Sequence, residues 1–112
     1  MDITWQNAAY LFDLDGNKQI GDAWRNRWDS LRLFNPARYA GLPGLRFPAR
    51  GDTFPTKDQM ADYLGDYVKK FHLPVQSSVK IDRLWREGDR FLMTAGSRRF
   101  ESENVVVAMA NY

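Results

Sequence analysis

A stretch dense in proline and glycine, residues 35–55, divides this chain of 112 residues and limits the regular structure that it can form. Proline lacks a backbone N–H and glycine adopts turn conformations, so the stretch predicts a long loop and not a helix or strand. Its structure-breaking residues are Pro36, Gly41, Pro43, Gly44, Pro48, Gly51 and Pro55. Long ordered loops in compact domains are usually functional or act as linkers, and we expect one of these roles here.

A single long helix is predicted directly after this loop. Thr56 and Gln59 stand three residues apart, as in a capping box, and apolar residues follow them at helical spacing. These apolar residues are Met60, Leu64, Tyr67, Val68 and Phe71. Pro74 cannot continue a helix, so the pattern predicts a helix from Lys57 to Phe71. His72, the only histidine, is then expected to be an exposed or capping residue at the helix end.

Strands are predicted on both sides of this helix. The mostly apolar run Tyr10–Leu14 is followed by the turn signal Asp15-Gly16-Asn17, which predicts a buried strand ending in a tight connection. Three later runs separated by turns predict a β-meander: Val79–Arg86, Arg90–Ala95 and Arg98–Glu101. The continuous run Val105–Ala108 is typical of a parallel strand covered on both faces. Together with the helix, these strands predict an α/β fold.

A short amphipathic helix is predicted between the first strand and the loop. Asp22 is placed to cap it, and Trp24, Trp28 and Leu31 fall on one face. Periodicity alone interprets these three residues as a core stripe. The segment Trp24–Trp28 also interleaves basic and aromatic residues, as a platform for single-stranded nucleic acid does, but one such patch does not predict that function.

Composition excludes several classes of site. The chain has no cysteine, which excludes disulfides, thiolate metal sites and a cysteine nucleophile. No His/Asp/Glu cluster has ligand spacing, so no metal site is predicted. A net charge of +2 does not imply nucleic acid, and no apolar run reaches the roughly 18 residues that cross a bilayer. We therefore predict a cytoplasmic protein with neither nucleic-acid nor membrane partners.

The run Asp13-Leu14-Asp15-Gly16 resembles the D-x-D-G signature of haloacid-dehalogenase-type phosphatases. In that family the first Asp is a nucleophile and the second a general acid or base. Here Asn17 stands where the family carries Thr or Val, and no later segment supplies the lysine and paired carboxylates for Mg²⁺-assisted phosphoryl transfer. A phosphatase is the less favoured interpretation of this strand and turn.

Residues Ile20 to Gly44, reading IGDAWRNRWDSLRLFNPARYAGLPG, resemble a segment of the class B, FAD- and NADPH-dependent flavoprotein monooxygenases. The resemblance covers about residues 11–112. It implies a partial Rossmann-like FAD-binding domain with a three-stranded β-meander, and we predict a single incomplete domain over residues 1–112. The chain contains no G-x-G-x-x-G. We therefore expect the first Rossmann strand and the glycine-rich turn that holds a dinucleotide pyrophosphate to be absent.

The resemblance also implies which residues contact the cofactor. Asp15 falls where the family places an acidic residue at the end of the second Rossmann strand, to accept hydrogen bonds from the adenosine ribose. Gly21, Asp22 and Trp24 match the family's G-[GDE]-x-W motif, which with Arg25 lines the ribityl and pyrophosphate region of the flavin. Further contacts are implied for Asp29, Ser30 and Arg32 on the flavin side and for the backbone of Val79 at the adenine. No catalytic residue is implied.

The function implied by the resemblance is that of an oxidoreductase in which NADPH reduces FAD and the reduced flavin activates O₂. The family's V-V-V-A-T-G run is replaced here by Val105-Val106-Val107-Ala108-Met109-Ala110. With the glycine-rich turn also missing, we predict that the chain is not active alone. The alternative is a non-catalytic interaction or remnant domain.

The missing first strand would leave unpaired edges at Tyr10–Leu14 and Val105–Ala108. We expect these edges to be paired by self-association, by residues Met1–Ala9, or by another chain that supplies the strand.

Overall fold

Two small β-sheets and one long helix make up the fold in a computed structural model, which describes residues 2–4 and 12–108. The elements in chain order are β1 (Asp2–Thr4), β2 (Asp13–Leu14), α1 (Asp22–Arg25), a 3-10 helix (Ala37–Tyr39), α2 (Lys57–Phe71), β3 (Val75–Gln76), β4 (Arg83–Glu87), β5 (Arg90–Ala95) and β6 (Arg98–Ser102). The predicted α/β class is confirmed.

Helix α2 begins and ends at the predicted residues. The Thr56 hydroxyl accepts a hydrogen bond from the Gln59 N–H, and the Gln59 side chain accepts one from the Thr56 N–H, so the capping box is complete. The helix stops at His72, which adopts a left-handed conformation with φ of 50° and donates its N–H to the Lys69 carbonyl. His72 is exposed, as predicted for a residue at the helix end.

The main core lies between α2 and the proline- and glycine-rich loop. Met60 and Tyr63 on the helix pack with Ala37 and Phe47 on the loop, and all four are buried. Apart from the 3-10 helix, this loop contains no helix or strand, as predicted. No helix in the described ranges combines the length and hydropathy needed to span a bilayer.

The first sheet is a parallel pair formed by β2 and β3, in which Asp13 pairs with Val75 and Leu14 with Gln76. Described residues of the predicted strand Tyr10–Leu14 form a strand only at Asp13–Leu14, while Tyr10 and Leu11 lie outside the description. The hydrogen-bond ladder continues beyond the two strands, where the Val79 N–H donates to the Asp15 carbonyl at 2.9 Å.

The second sheet has the order β1-β6-β5-β4. Its three antiparallel strands confirm the predicted meander, but the first of them begins at Arg83 and not at Val79. The reason is that Val79 is held by the β2–β3 ladder, after Ser78 has turned the chain with a φ of 58°. Strand β1 pairs in parallel with β6, so residues 2–4 extend the meander. They do not take the place of the missing first Rossmann strand beside β2.

The predicted strand Val105–Ala108 is wrong. These residues form no strand, and the side chains of Val106 and Val107 are 88% and 61% exposed. A β-branched run forms a strand only when neighbouring strands and a packing surface are available. No described residue pairs with this run in a sheet. Met109 and Ala110 lie outside the description.

The prediction that Trp24, Trp28 and Leu31 lie on one helix face is also wrong, because α1 contains only four residues and ends at Arg25. Gly21, with a φ of 92°, is the N-cap residue, and Asp22 is the first residue of the helix. Asn26 leaves helical geometry, so Trp28 is not on a helix face and is 61% exposed. Local periodicity could not reveal that the helix ends this early.

Candidate functional site

Asp15 lies at the carboxyl end of β2, immediately after Leu14. Its Oδ1 atom accepts hydrogen bonds from the N–H and the side-chain amide of Asn17, at 3.0 and 3.1 Å. Its Oδ2 atom makes no hydrogen bond with the described residues. Ligands of parallel α/β sheets bind at the carboxyl ends of strands. The structure therefore fixes one oxygen of this carboxylate by a local turn and leaves the other able to accept a ligand's hydrogen bond.

Val79 lies next to Asp15 at the same end of the sheet. Its side chain is buried, with 3% exposed, and its N–H donates to the Asp15 carbonyl at 2.9 Å. The structure thus brings together the two residues for which the resemblance implies contacts with adenosine. Since the Val79 N–H already belongs to the ladder, an adenine contact through that group would have to share this hydrogen bond.

Gly21 is buried against α2. A Cβ atom added to it would lie 2.7 Å from the Ala61 carbonyl oxygen, and its φ of 92° favours glycine. Both facts explain why a glycine stands at this position of the G-[GDE]-x-W motif. The close contact between α1 and α2 requires a glycine at this position whether or not a ligand binds.

Arg25 and Asp22 hold α1 in place. The Arg25 Nη1 atom donates to the Ile20 carbonyl at 2.8 Å and to Asp22 at 3.0 Å, and Nη2 donates to Asp62 of α2 at 3.1 Å. Hydrogen bonds to Asp62 and then to Asp22 raise the pKa of Arg25 above its ordinary value. The other Asp22 oxygen accepts the Gln19 N–H at 3.1 Å. The polar atoms of this motif are thus largely engaged within the protein.

Lys57 is a member of this network that the sequence interpretation missed. Only 8% of the residue is exposed, and its ammonium donates to the Arg25 carbonyl at 2.8 Å and to Asp58 at 3.1 Å. A signal was available, because a cation in the first turn of a helix opposes the helix dipole and needs a specific reason. That reason is the carbonyl at the end of α1.

Of the remaining predicted contact residues, Trp24 belongs to α1, and the other three follow α1 in the chain before the loop. Trp24 packs against the core cluster, which agrees with the core interpretation of this one residue. Asp29 and Ser30 are exposed. Arg32 donates from Nη1 to the Phe54 carbonyl at 2.9 Å, and its backbone forms an isolated bridge with Thr56. Arg32 therefore helps to anchor the end of the loop.

Among residues 12–108, whose side chains the structure describes, no group of three His, Asp or Glu side chains could hold a metal ion. Asp13 is exposed on β2, while Asp15 is engaged with Asn17.

Comparison with known proteins identifies relatives among oxidoreductases. No family model matches the chain. It is 42% identical over 99 residues to an uncharacterised CzcO-like oxidoreductase of Geobacillus kaustophilus, covering 88% of this chain and 28% of that protein. It is 34% identical over 81 residues to the indole-3-pyruvate monooxygenase YUCCA8 of Oryza sativa subsp. indica, covering 71% of this chain and 19% of that protein.

Comparison with solved structures also identifies a flavoprotein with a similar fold. A flavin-containing monooxygenase from Stenotrophomonas maltophilia matches with a TM-score of 0.67 and 24% identity, over 82% of this chain and 35% of that one. The chain thus spans less than a third of the two curated relatives described above. The prediction of a partial Rossmann-type flavoprotein domain is confirmed, and the relatives do not favour the non-catalytic and phosphatase alternatives.

Proposed function

We propose that this chain, which is homologous to one segment of the flavin-dependent monooxygenases and CzcO-like oxidoreductases, forms the adenosine-binding wall of an FAD site. The observation that carries the proposal is the carboxylate of Asp15 at the carboxyl end of the parallel β2–β3 pair. A carboxylate in this position of a Rossmann-like sheet accepts hydrogen bonds from ribose hydroxyls.

The residues present suit the adenosine end of FAD. Asp15 has an oxygen that is not used by the described residues, and the chemistry of a carboxylate matches the two hydroxyl donors of a ribose. Asn17 fixes the other oxygen, which orients the carboxylate before a ligand binds. Val79 supplies the neighbouring wall at the same strand ends. Bound FAD would supply the redox chemistry, and this segment would position its adenosine.

The α1 region would act mainly by shape. Arg25 and Asp22 are engaged with each other, with Asp62 and with backbone groups, so they fix the path of the chain after Asp15. We propose that Gly21, Asp22 and Arg25 define the wall facing the cofactor and that few of their side-chain atoms contact it directly. For Asp29 and Arg32 a flavin contact stays a prediction.

Activity belongs to a larger unit in this proposal. The relatives are at least about three times as long as the matched segment, and the pyrophosphate-binding G-x-G-x-x-G is not among the residues of this chain. We propose that the reaction is a flavin-dependent oxidation with NADPH as reductant, in a protein or complex that also contains those parts.

Competition between the two halves of FAD tests the proposal. FAD binding is measured by equilibrium dialysis, with ADP-ribose and FMN as competitors. We expect ADP-ribose to compete and FMN not to, and we expect Asp15→Asn to weaken FAD binding about tenfold through the loss of charge-assisted hydrogen bonds. Asp13→Asn, which removes an exposed carboxylate two residues earlier on β2, is the matched control and should bind FAD normally. Competition by FMN alone would contradict the assignment.

A further inference from the structure

Strand β4, residues Arg83–Glu87, forms one edge of the β1-β6-β5-β4 sheet. It pairs with β5 on one side, and no described residue pairs with its other side. Four of its five residues are exposed, and Trp85 is partly buried. An edge strand offers N–H and C=O groups to which a further strand can add. None of the residues of the proposed FAD site belongs to β4.

The hairpin turn after β4 determines which backbone groups point outward. Residues 88–89 form a two-residue turn, and Glu87 pairs with Arg90 across it. Such a turn is closed by a hydrogen-bonded pair, and hydrogen-bonded pairs alternate with other pairs along an antiparallel ladder. Every second residue of β4, counted back from Glu87, therefore directs its backbone groups to β5. The N–H and C=O groups of Leu84 and Arg86 point to the free edge.

The side chains of Arg83, Trp85 and Glu87 form a row on one face of β4. The guanidinium carbon of Arg83 lies 4.4 Å from the centroid of the Trp85 ring, and Trp85 Nε1 donates to Glu87 at 3.2 Å. Neither Arg83 nor Glu87 forms an ion pair with a described residue. The row has a positive charge at one end, an aromatic ring at its centre and a negative charge at the other end. It is therefore complementary to a copy of itself that runs in the opposite direction.

We propose that β4 pairs in antiparallel fashion with β4 of a second copy of this chain, about a two-fold axis at Trp85. Leu84 of each copy exchanges hydrogen bonds with Arg86 of the other, since these residues have the outward backbone groups. Each Arg83 faces Glu87 of the other copy, and the two Trp85 rings lie opposite each other. A register shifted by two residues leaves two of the five residues of each β4 unpaired, so the centred register pairs the longest stretch.

Charged residues on an edge strand usually prevent such pairing, because like charges directly opposite each other are destabilising. On β4 the opposite charges of Arg83 and Glu87 reverse this effect, since each of them faces the other across the two-fold axis. Arg86 faces Leu84 of the other copy and can cover it with the apolar stem of its side chain. Two five-residue strands bury a small area, so the association is weak and depends on concentration.

Sedimentation velocity of the full chain, over about 1–300 μM, tests the proposal. We expect reversible dimers that weaken as ionic strength rises. Arg83→Glu places carboxylates opposite each other and Glu87→Arg places guanidinium groups opposite each other, so each variant alone should dimerise at least about tenfold more weakly. An equimolar mixture of the two variants restores opposite charges at both contacts and should form dimers. Arg46→Glu, at an exposed position outside β4, is the control for net charge and should dimerise as the parent does.

Amide hydrogen exchange in the ¹⁵N-labelled parent locates the interface. Exchange at Leu84 and Arg86 should slow as concentration rises through the dimerisation range, while exchange at Trp85, whose N–H faces β5, should change less. Because this measurement uses the parent, it decides the question even if a variant fails to fold. A parent that stays monomeric, single variants that dimerise as the parent does, a folded mixture that stays monomeric, or dimers without protection at Leu84 and Arg86 would each overturn the proposal.

Discussion

The backbone of Gly21 lies against that of Ala61 so closely that a Cβ atom on Gly21 would be 2.7 Å from the Ala61 carbonyl oxygen and 2.8 Å from its Cα. Ala61 is fully buried, and the atoms that would collide belong to the backbone of α2. A flexible side chain could move aside, but a helix backbone cannot do so cheaply. The contact sets the distance between α1 and α2.

Gly21→Ala is therefore expected to lower the free energy of unfolding by about 2–4 kcal/mol, from backbone strain at positive φ together with overpacking. Urea denaturation measures this change. Gly88→Ala isolates the strain, because Gly88 also has a positive φ, at 61°, but has no atom within 4 Å of the added Cβ. Gly88→Ala should lower the free energy of unfolding by only about 1–2 kcal/mol. Equal losses in the two variants would contradict the packing argument.

Gly65→Ala is expected to act in the opposite direction. Gly65 lies inside α2, and an added Cβ would meet no atom within 4 Å. Because glycine is a poor helix former, the change should raise the free energy of unfolding by about 0.5–1 kcal/mol in the same urea experiment. A loss of stability would show that the surface of α2 at this position is covered by something that the described residues do not include.

Local signals explain why α2 could be predicted to the residue while α1 could not. The capping box of α2 joins residues three apart, and its end is set by His72 and the nearby Pro74. In contrast, α1 contacts Ala61 and Asp62, which are about 40 positions later in the chain. Sequence patterns within a few residues contain no information about such contacts.

The same distinction applies to the site. The turn at Asp15 could be predicted from the residues around it, and Asn17 completes that turn locally. The cofactor contact of Asp15 was implied only by the family resemblance and stays a prediction. The position of Lys57 in the first turn of α2 was a local signal, but its partner could not be predicted, because the Arg25 carbonyl lies 32 residues earlier in the chain. The strand predicted at Val105–Ala108 was wrong because β propensity depends on neighbouring strands, which a single run of residues cannot reveal.

Lys57→Met should destabilise the protein although it replaces a charge by a side chain of similar length. The Lys57 ammonium, on a side chain that is only 10% exposed, donates to the Arg25 carbonyl. Its loss leaves that acceptor unpaired, with an expected cost of about 1–3 kcal/mol in the free energy of unfolding measured by urea denaturation. Lys69→Met, on the exposed surface of the same helix, should change it by less than about 0.5 kcal/mol. Similar effects of the two changes would argue against this role of Lys57.

Tyr63→Phe removes a hydroxyl that serves both sides of the turn at residues 42–45. The Leu42 N–H and the Leu45 carbonyl would both lose their partner, so we expect a loss of about 2 kcal/mol in the free energy of unfolding. Hydrogen exchange at the Leu42 amide should accelerate more than exchange in the middle of α2. Tyr67→Phe is the matched control, since its hydroxyl serves only the Pro43 carbonyl, at an exposed position. Unchanged exchange at Leu42 in Tyr63→Phe would contradict this account.

The carboxyl group of Asp82 gives the protein a specific response to acid. The Thr94 hydroxyl and then the Gly96 N–H, at 2.7 Å, donate hydrogen bonds to it and lower its pKa below the ordinary value of 3.8. A carboxyl group with a lowered pKa in the folded state stabilises the fold fully above the unfolded value, and this contribution is lost as pH falls through the folded value. The stabilisation from Asp82 should therefore begin to decline near pH 3.8 and be lost progressively as pH falls further.

Thr94→Val keeps a β-branched side chain on β5 and removes the hydroxyl, which is the larger of the two causes that lower the pKa of Asp82. The pKa of Asp82, measured by ¹³C NMR of its carboxyl carbon, should rise towards 3.8, and the acid limb of the stability curve should become less steep. The change should be partial, because the Gly96 N–H still donates to the carboxylate. Thr53→Val removes a hydroxyl that donates to the Arg50 carbonyl, so it should leave the Asp82 titration as it was. If Asp82 titrates identically in Thr94→Val and the parent, the hydroxyl is not what lowers its pKa.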